Sequence, residues 1–160
     1  MTQRMSTHAT PALRRRFGIC LVLAVASTAA GAQGNPQASG ASADELLRAS
    51  EQTLRQIDES RGPDLWNASA PFIRTSFSQA DYVNGIVQER QRVGTVRERS
   101  WDRVTRIHEN GNSQGVPAGF YASVDFSTYT GNGNVVYERL SFRLEDDGWH
   151  PVGYNARDKQ

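Results

Sequence analysis

The sequence predicts an α+β fold, in which N-terminal helices pack on one face of a curved four-stranded antiparallel meander. Up to Gly94 the apolar residues recur about every 3.6 residues, as on one face of a helix, and from Thr95 onward they alternate with polar residues, as in a strand. Helices followed by consecutive strands are typical of a domain with its helices on one face of an antiparallel sheet. Polar turns separate the strand candidates, which are 95–107, 119–130, 134–144 and 149–157.

The first 32 residues have the layout of an export signal. Three arginines at 14–16 precede an apolar stretch at 17–26, and small residues follow, ending in Ala30-Gly31-Ala32. This is the pattern of a secretory signal peptide, and the apolar stretch is too short for a membrane-spanning helix. We therefore predict cleavage after Ala32, a periplasmic or secreted bacterial location, and no membrane span after cleavage.

Cleavage would change both the charge and the available chemistry. Residues 1–32 hold four arginines, no acidic residue and the one cysteine of the chain, so removing them leaves 14 basic and 17 acidic side chains, a net charge of −3. A weakly acidic domain is not expected to bind nucleic acid. A chain without cysteine has no thiolate nucleophile and no cysteine-type zinc site. Because His108 and His150 stand in no metal-binding motif, we predict no metal and no cofactor.

The predicted domain begins with a helix. Residues 33–41 are small and polar, which indicates a flexible tether, so we expect a single α+β domain at 42–158. Ser42 followed by Glu45 fits a capping box that opens a helix, and the Arg-Gly-Pro triplet at 61–63 ends it. The stripe of this helix that is expected to face the core comprises Leu46, Leu47, Ser50, Leu54 and Ile57.

A second substantial helix is predicted to start at Ser78 and to end at Gly94. Between the two helices, a short helical or irregular piece carries Trp66 and Phe72 and is broken at Pro71. The apolar face of the second helix comprises Tyr82, Val83, Ile86 and Val87.

The register of the middle hairpin follows from the positions of its apolar residues. These are even-numbered in both 119–130 and 134–144, and both sets must face the core, so the numbers of opposed residues must have an even sum. A three-residue loop at 131–133 satisfies this condition, whereas a two-residue loop gives an odd sum. The loop also supplies a glycine for the left-handed position that it needs. The predicted register pairs Phe126 with Glu138.

For the last strand, two registers remain open. With a three-residue turn at 146–148, Glu145 opposes Trp149. The core-facing residues are then His150, Val152 and Tyr154. With Glu145 included in a four-residue loop, the core-facing residues are Trp149, Pro151 and Gly153.

Glu138 is the unusual residue of this pattern, because it shares the core-facing parity of apolar neighbours. A carboxylate removed from water without a partner costs several kcal/mol, so Glu138 is expected to be paired, protonated or in contact with a wet cavity. The candidate partners are Arg99 and Arg90. In the structural interpretation, the ion pair fixes the register of the sheet. In the functional interpretation, Glu138 lies in a cavity with Trp66 and Tyr82, and orients a ligand or acts as a general base.

A set of spacings across residues 44–157 resembles a known family. The matching residues are Ile57, Asp58, Trp66, Arg90, Val93, Gly94, Arg99, Pro117, Gly119, Tyr121, Glu138, Trp149, Gly153 and Tyr154. This pattern resembles the secreted bacterial family catalogued as domain of unknown function 4019. Tyr82 stands in place of the usual tryptophan, Arg92 in place of a proline, and Ala118 in place of the turn aspartate. The resemblance implies a cone-shaped fold of the nuclear-transport-factor-like or cystatin-like kind, but no activity, substrate or catalytic residue.

These observations lead us to expect an exported small protein that binds or scaffolds a protein or small-molecule ligand in the cell envelope without catalysis. The alternative is a small pocket enzyme, of the isomerase or lyase type, that uses Glu138 as acid or base. An enclosed pocket around Glu138 would favour the enzyme, whereas a filled core with an exposed patch or sheet edge would favour a partner. A homodimer across the sheet is suggested by the outward-facing tyrosines Tyr121, Tyr129 and Tyr137.

Overall fold

The computed structural model describes residues 42–113 and 115–158, so the predicted signal peptide (1–32) and tether (33–41) lie outside the described residues. In the described part, the helices are α1 (Ala43–Asp58), α2 (Gly62–Ala68), α3 (Pro71–Ser76) and α4 (Gln79–Val93). The strands are β1 (Val96–Glu109), β2 (Gly119–Thr130), β3 (Val135–Glu145) and β4 (Gly148–Arg157). They form an antiparallel sheet in the order β1-β2-β3-β4, which confirms the predicted α+β fold. Across these two ranges, no helix is long and apolar enough to cross a membrane.

Helix α1 begins where its first N–H groups find a side-chain acceptor. The Ser42 hydroxyl accepts a hydrogen bond from the Asp44 N–H at 3.1 Å, so the predicted N-cap is confirmed. The apolar stripe packs into the core, and Leu46 is fully buried. The helix ends at Asp58, which places a carboxylate beside the partial negative charge of a helix C-terminus.

Helix α4 also has the predicted ends. The Ser78 hydroxyl accepts a hydrogen bond from the Asp81 N–H at 3.1 Å, and Gly94, with φ of 72°, follows the last turn. Tyr82 and Ile86 are buried as predicted. Val87 is 38% exposed, so its assignment to the core is wrong: it borders a cavity of about 320 Å³ between α1, α2 and α4.

Two short helices occupy the piece between α1 and α4. Pro71 is at the start of α3, where a missing N–H costs nothing, so the predicted break separates α2 from α3. The connection between them lies against β4. The Ala70 N–H donates to the Pro151 carbonyl at 3.0 Å, and His150 Nδ1 lies 2.9 Å from the Ala68 carbonyl oxygen. This segment therefore covers part of one sheet edge.

The hairpin of β2 and β3 has the predicted register, with Phe126 opposite Glu138. Residues 131–133 connect the strands, and the Thr130 N–H donates to the Asn134 carbonyl at 3.0 Å across the loop. Gly133 has φ of 85°, the left-handed conformation that a three-residue loop requires. Both apolar sets consequently lie on the side of the sheet that faces the helices, although Phe120 at the start of β2 is 57% exposed.

Strand β4 combines features of the two registers left open for it. The turn is Asp146-Asp147, so Leu144 opposes Trp149. A register shift further along the hairpin adds one residue to β4, and Leu140 therefore opposes Tyr154. Trp149 shares the face of Leu144 before the bulge, and Tyr154 shares the face of Leu140 after it. Neither a three-residue nor a four-residue loop accounts for the strand, because the bulge switches its parity.

The two faces of the sheet have different surroundings. The inner face packs against the helices and carries the even-numbered residues of β2 and β3. Its apolar residues in the main core are Ala122, Val124, Phe126, Leu140, Phe142 and Tyr154. We call the opposite side, with the odd-numbered residues of β2 and β3, the outer face.

Tyr121 has the predicted outward parity, but it is not exposed. Its exposure is only 8%, whereas Tyr129 on the same face is 50% exposed. Phe72 lies 6.4 Å from the Tyr121 ring, the Arg143 guanidinium lies 6.0 Å from it, and the Tyr121 hydroxyl donates to the Pro117 carbonyl at 2.9 Å. The ring is thus covered by Phe72 and Arg143, which are distant in sequence, and its hydroxyl is bonded to the preceding loop.

Two glycines provide a matched test of the helix packing. An added Cβ at Gly85 of α4 meets no atom within 4 Å, so Gly85→Ala is expected to increase the free energy of unfolding by about 1 kcal/mol. An added Cβ at Gly62 lies 2.7 Å from Val83 Cγ1, so Gly62→Ala is expected to lower it by about 1–3 kcal/mol. Urea denaturation measures both. A Gly62→Ala protein as stable as the Gly85→Ala protein would contradict this packing of α2 on α4.

Candidate functional site

Glu138 is buried on the inner face, at 1% exposure, and both of its carboxylate oxygens are hydrogen-bonded. Oε1 accepts from Arg99 Nε at 2.6 Å and from the Thr128 hydroxyl. Oε2 accepts from Arg99 Nη2 at 3.3 Å and from the Tyr154 hydroxyl. The structure thus places Arg99 as a bidentate partner of Glu138, with two neutral donors completing the carboxylate.

Arg99 also contacts a second carboxylate. Its Nη1 and Nη2 donate to Asp58 at the end of α1, with Nη2 to Oδ1 at 3.0 Å. Arg90 Nε donates to the same Oδ1 at 2.7 Å, and Arg90 Nη1 donates to the Gly94 carbonyl at 2.7 Å. Two carboxylates and two guanidinium groups therefore alternate in the order Glu138, Arg99, Asp58, Arg90. We call this set the four-charge cluster, and its formal charges sum to zero.

The four-charge cluster joins four elements, because its members come from β3, β1, α1 and α4. An acidic residue in the last turn of a helix is normally unfavourable, since it faces the negative end of the helix dipole. The two arginines offset this cost at Asp58. The cluster thereby holds the ends of both long helices against the first strand.

The charge states in the cluster follow from these contacts. Burial favours a higher pKa for Asp58, but hydrogen bonds from Arg99 and Arg90 outweigh it and lower the pKa below its ordinary value. Burial opposes the charged form of Arg99, but its hydrogen bonds to the two carboxylates raise its pKa. Burial and then the charge of Glu138 raise the pKa of Tyr154, so its hydroxyl remains a donor near neutral pH.

Trp66 and Tyr82, the other two candidate residues, form a separate pair with ring centroids 5.8 Å apart. The Tyr82 hydroxyl is buried without a hydrogen-bond partner among the described residues, and burial raises its pKa to about 12. No hydrogen bond, ion pair or ring contact within 42–113 and 115–158 joins this pair to Glu138. The structure thus brings together Glu138, Arg99 and Arg90, and places the aromatic pair elsewhere in the core.

An open groove of about 470 Å³ borders the four-charge cluster between α1 and β1. Arg99 and Asp58 reach this groove, and Trp101, which is 57% exposed, forms one side of it. Glu138 does not line the groove. All three nitrogens of the Arg99 guanidinium donate to carboxylates, so the cluster presents a neutral, internally paired surface to solvent.

A second cluster, on the outer face, was not anticipated from the sequence. Asp125 is 6% exposed and accepts from Arg139 Nε at 2.6 Å and from Arg139 Nη2 at 3.0 Å. Arg103 Nε and Arg157 Nη2 lie 3.5 and 3.8 Å from its oxygens. The hydrogen bond from Arg139 is the main cause of a lowered Asp125 pKa. The predicted hairpin register already opposes Asp125 to Arg139. The other two arginines lie on β1 and β4, where bulges change the register.

Metal binding finds no support in these clusters. In the part of the chain that the structure describes, no group of three or more His, Asp or Glu side chains is placed to hold a metal ion. His150 Nε2 lies 2.7 Å from an oxygen of Asp147 in the turn before it, and His108 lies against Phe120 with ring centroids 4.7 Å apart.

The Glu138–Arg99 pair is expected to show strong energetic coupling. Arg99→Ala should lower the free energy of unfolding by about 3–5 kcal/mol, because it leaves a buried carboxylate unpaired. In the Glu138→Gln protein, the same change should cost about 0.5–3 kcal/mol less. Urea denaturation of the two single variants and the double variant measures this. The matched control is the exposed Arg61–Asp64 pair, changed to Ala and Asn, where the losses should be nearly additive. Additive losses at Glu138 and Arg99 would contradict the coupling.

Asp58 should contribute to acid denaturation. Because its pKa is lowered in the folded protein, its stabilising effect is present above the ordinary carboxylate pKa of about 4 and is lost as the pH falls through the folded value. The Asp58→Asn protein should therefore be less stable at pH 6 and should lose less stability between pH 5 and pH 3. Unfolding free energies over this range provide the measurement, with Asp64→Asn as the control. Equal pH dependence in Asp58→Asn and the unsubstituted protein would refute the assignment.

Comparison with known proteins gives one match. A family model described as "Protein of unknown function (DUF4019)" matches residues 49–154, a span that includes every member of the four-charge cluster. No curated protein and no solved structure matches the chain. The analogy to nuclear-transport-factor-like or cystatin-like folds therefore stays a prediction. Since the matched span exceeds half of the 160 residues and agrees with the resemblance noted in the sequence, the chain belongs to the DUF4019 family.

Proposed function

We propose that this protein is an exported, non-catalytic binding module of the bacterial cell envelope and that its outer face is the recognition surface. The observation that carries the proposal is the accessible cluster of Arg103, Arg139 and Arg157 around one carboxylate, beside a cavity of about 330 Å³. Arginine and tyrosine are enriched at binding hot spots, and the outer face contains both. The layout of residues 1–32 supports export.

The geometry of Glu138 supports the non-catalytic part of the proposal. A general base needs a free lone pair within reach of a substrate proton. Each oxygen of Glu138 already accepts two hydrogen bonds, and the side chain is fully shielded from solvent. The alternative, an isomerase-type or lyase-type enzyme with Glu138 as acid or base, would require the core to open. The ion pair is better explained by its role in holding the helices to the sheet.

The free edge of β1 is a weaker candidate for recognition than the outer face. Unpaired edge strands can accept a strand from a partner, and proteins hinder this with bulges and charged residues. Strand β1 has two register shifts, between Val96 and Glu98 and between Trp101 and Arg103. It also carries charged residues of both signs along its length. A face-on contact therefore fits the surface better than strand addition.

Export can be tested by fractionating bacteria that express the full sequence. The protein should be recovered outside the cytoplasm, and its mass should correspond to a chain that begins at Gln33. Recovery of the uncleaved chain from the cytoplasm would refute this part of the proposal.

Recognition by the outer face can be tested with matched tryptophan substitutions. Ser123→Trp places a bulky side chain in the outer-face cavity, whereas Gln88→Trp adds the same group to the exposed side of α4. Isotope-labelled protein is titrated with a cell-envelope extract, and backbone amide shifts are followed by NMR. Shifts should concentrate on the outer face, disappear in Ser123→Trp and persist in Gln88→Trp. Shifts centred on the groove beside Trp101 and insensitive to Ser123→Trp would contradict the proposal.

The same variant decides whether the ligand is a second copy of this chain. Sedimentation velocity measures the oligomeric state of the unsubstituted protein and of Ser123→Trp. A dimer that Ser123→Trp dissociates would identify self-association as the role of the outer face. If the unsubstituted protein and Ser123→Trp are both monomeric, the ligand of the outer face is a different molecule.

A further inference from the structure

Strand pairing arranges the outer face in rows with distinct chemistry. Arg103, Asp125 and Arg139 oppose one another across β1, β2 and β3. The next row contains only small residues, namely Thr105, Ser123, Ser141 and Gly153. The row beyond it consists of Ile107 and Tyr121, followed by Arg143 and His150. The charged row and the apolar half of this last row, Ile107 and Tyr121, therefore flank a floor of small residues.

The charged row, taken together with Arg157 from the adjacent row of Tyr137, has more positive than negative charge. Three arginines surround Asp125, and the nearby carboxylate of Asp102 accepts a hydrogen bond from Ser127. In this part of the described structure, the three guanidinium groups outnumber the carboxylates of Asp125 and Asp102. The Arg157 Nε group is also buried without an acceptor among the described residues. Surplus charge and an unused donor together favour an additional anion, and the planar guanidinium groups suit a carboxylate.

The small residues of the middle row leave space for a ligand body. A cavity of about 330 Å³ lies over Ser123 and Ser141, within the range of roughly 300–1,000 Å³ that is common for ligand sites. Ile107, Val116 and Tyr121 form its apolar side, and Arg139 lies at the opposite end. Since strand residues advance by about 3.4 Å, the charged row and the Ile107–Tyr121 pair are about 14 Å apart.

One wall of this cavity is supplied by the loop between β1 and β2. Val116 lines the cavity, and the adjacent Pro117 carbonyl accepts the hydrogen bond from Tyr121. Glu109 lines the cavity as well and accepts from the Ser113 hydroxyl at 3.3 Å. Arg143, in the same row as Tyr121, donates to Glu145 and to the Ala118 carbonyl and does not line the cavity. Glu109 at one end of the cavity and Arg139 at the other would therefore orient an anionic head toward Arg139.

We infer that the outer face binds a small amphipathic carboxylate, with its head on Arg139 and Arg157 and its apolar body between Ser123 and Ile107. The inference rests on the proposed function and names the ligand class for the same surface. The arginine cluster supplies the charge, the small residues supply the space, and the loop at Val116 supplies the apolar cover.

The test uses octanoate as a probe, with protein made from the full sequence. Two control compounds each lack one part of the ligand: 1-octanol has no charge, and acetate has no apolar body. NMR titration near pH 7 should show saturable binding of octanoate, with shifts at Thr105, Ser123 and Ser141. Binding of 1-octanol and of acetate should each be at least tenfold weaker. Equal affinity for octanoate and 1-octanol would overturn the role of the arginines.

Substitutions at the charged row distinguish recognition from folding. Arg139→Gln should weaken octanoate binding at least tenfold without changing binding of 1-octanol. Arg157→Gln leaves the bidentate Arg139–Asp125 pair intact and should also weaken octanoate binding. A loss of binding in this variant therefore cannot be caused by disruption of that pair. Arg92→Gln, on the exposed side of α4, is the matched control and should leave the affinity unchanged. Full octanoate binding in both outer-face variants would overturn the inference.

The two proposals fail in different ways. If octanoate does not bind, but Ser123→Trp abolishes binding of a component of the envelope extract, the ligand class is wrong and the outer face remains the recognition surface. If neither octanoate nor the extract perturbs the outer face, both proposals are overturned. Saturable octanoate binding that Ser123→Trp blocks supports both.

Discussion

The burial of one carboxylate, Glu138, imposes the constraint on which the rest of the structure depends. Removing a carboxylate from water costs several kcal/mol unless it is paired and hydrogen-bonded. Arg99 supplies the pairing, but its guanidinium is itself largely buried and needs a second carboxylate, Asp58, which in turn contacts Arg90. Charge compensation thus extends stepwise from the core to the surface. Each step ties another element to the sheet.

This constraint also explains why the sheet register is strongly specified. A slip of one residue in β3 would move Glu138 to the outer face and place Arg139 in the core. Thr128 and Tyr154 would then lose their acceptor, and Arg99 would lose one of its two carboxylates. A neutral, closed cluster on the inner face therefore discriminates against other registers, apart from any net stability that it contributes.

The outer face differs from the inner face in how its charges are balanced. On the inner face, two arginines meet two carboxylates, and all three nitrogens of the Arg99 guanidinium donate to them. Around Asp125, arginines outnumber acidic groups, and one arginine nitrogen lacks an acceptor in the described structure. The complete pairing supports a structural role for the inner cluster, and the incomplete pairing next to a cavity is the observation behind the proposed ligand site.

The sequence by itself determined the fold class, the caps at Ser42 and Ser78, the β2–β3 register, and Glu138 as a core-facing acid with Arg99 among its partners. Those features depend on local capping and on a period of two, which a sequence displays directly. Only the tertiary structure decided that Asp58 joins Arg99, that Tyr121 is covered, and that Trp149 and Tyr154 both share the inner face. These outcomes depend on where a helix end meets a strand and on bulges that change parity, which arise from packing between distant segments.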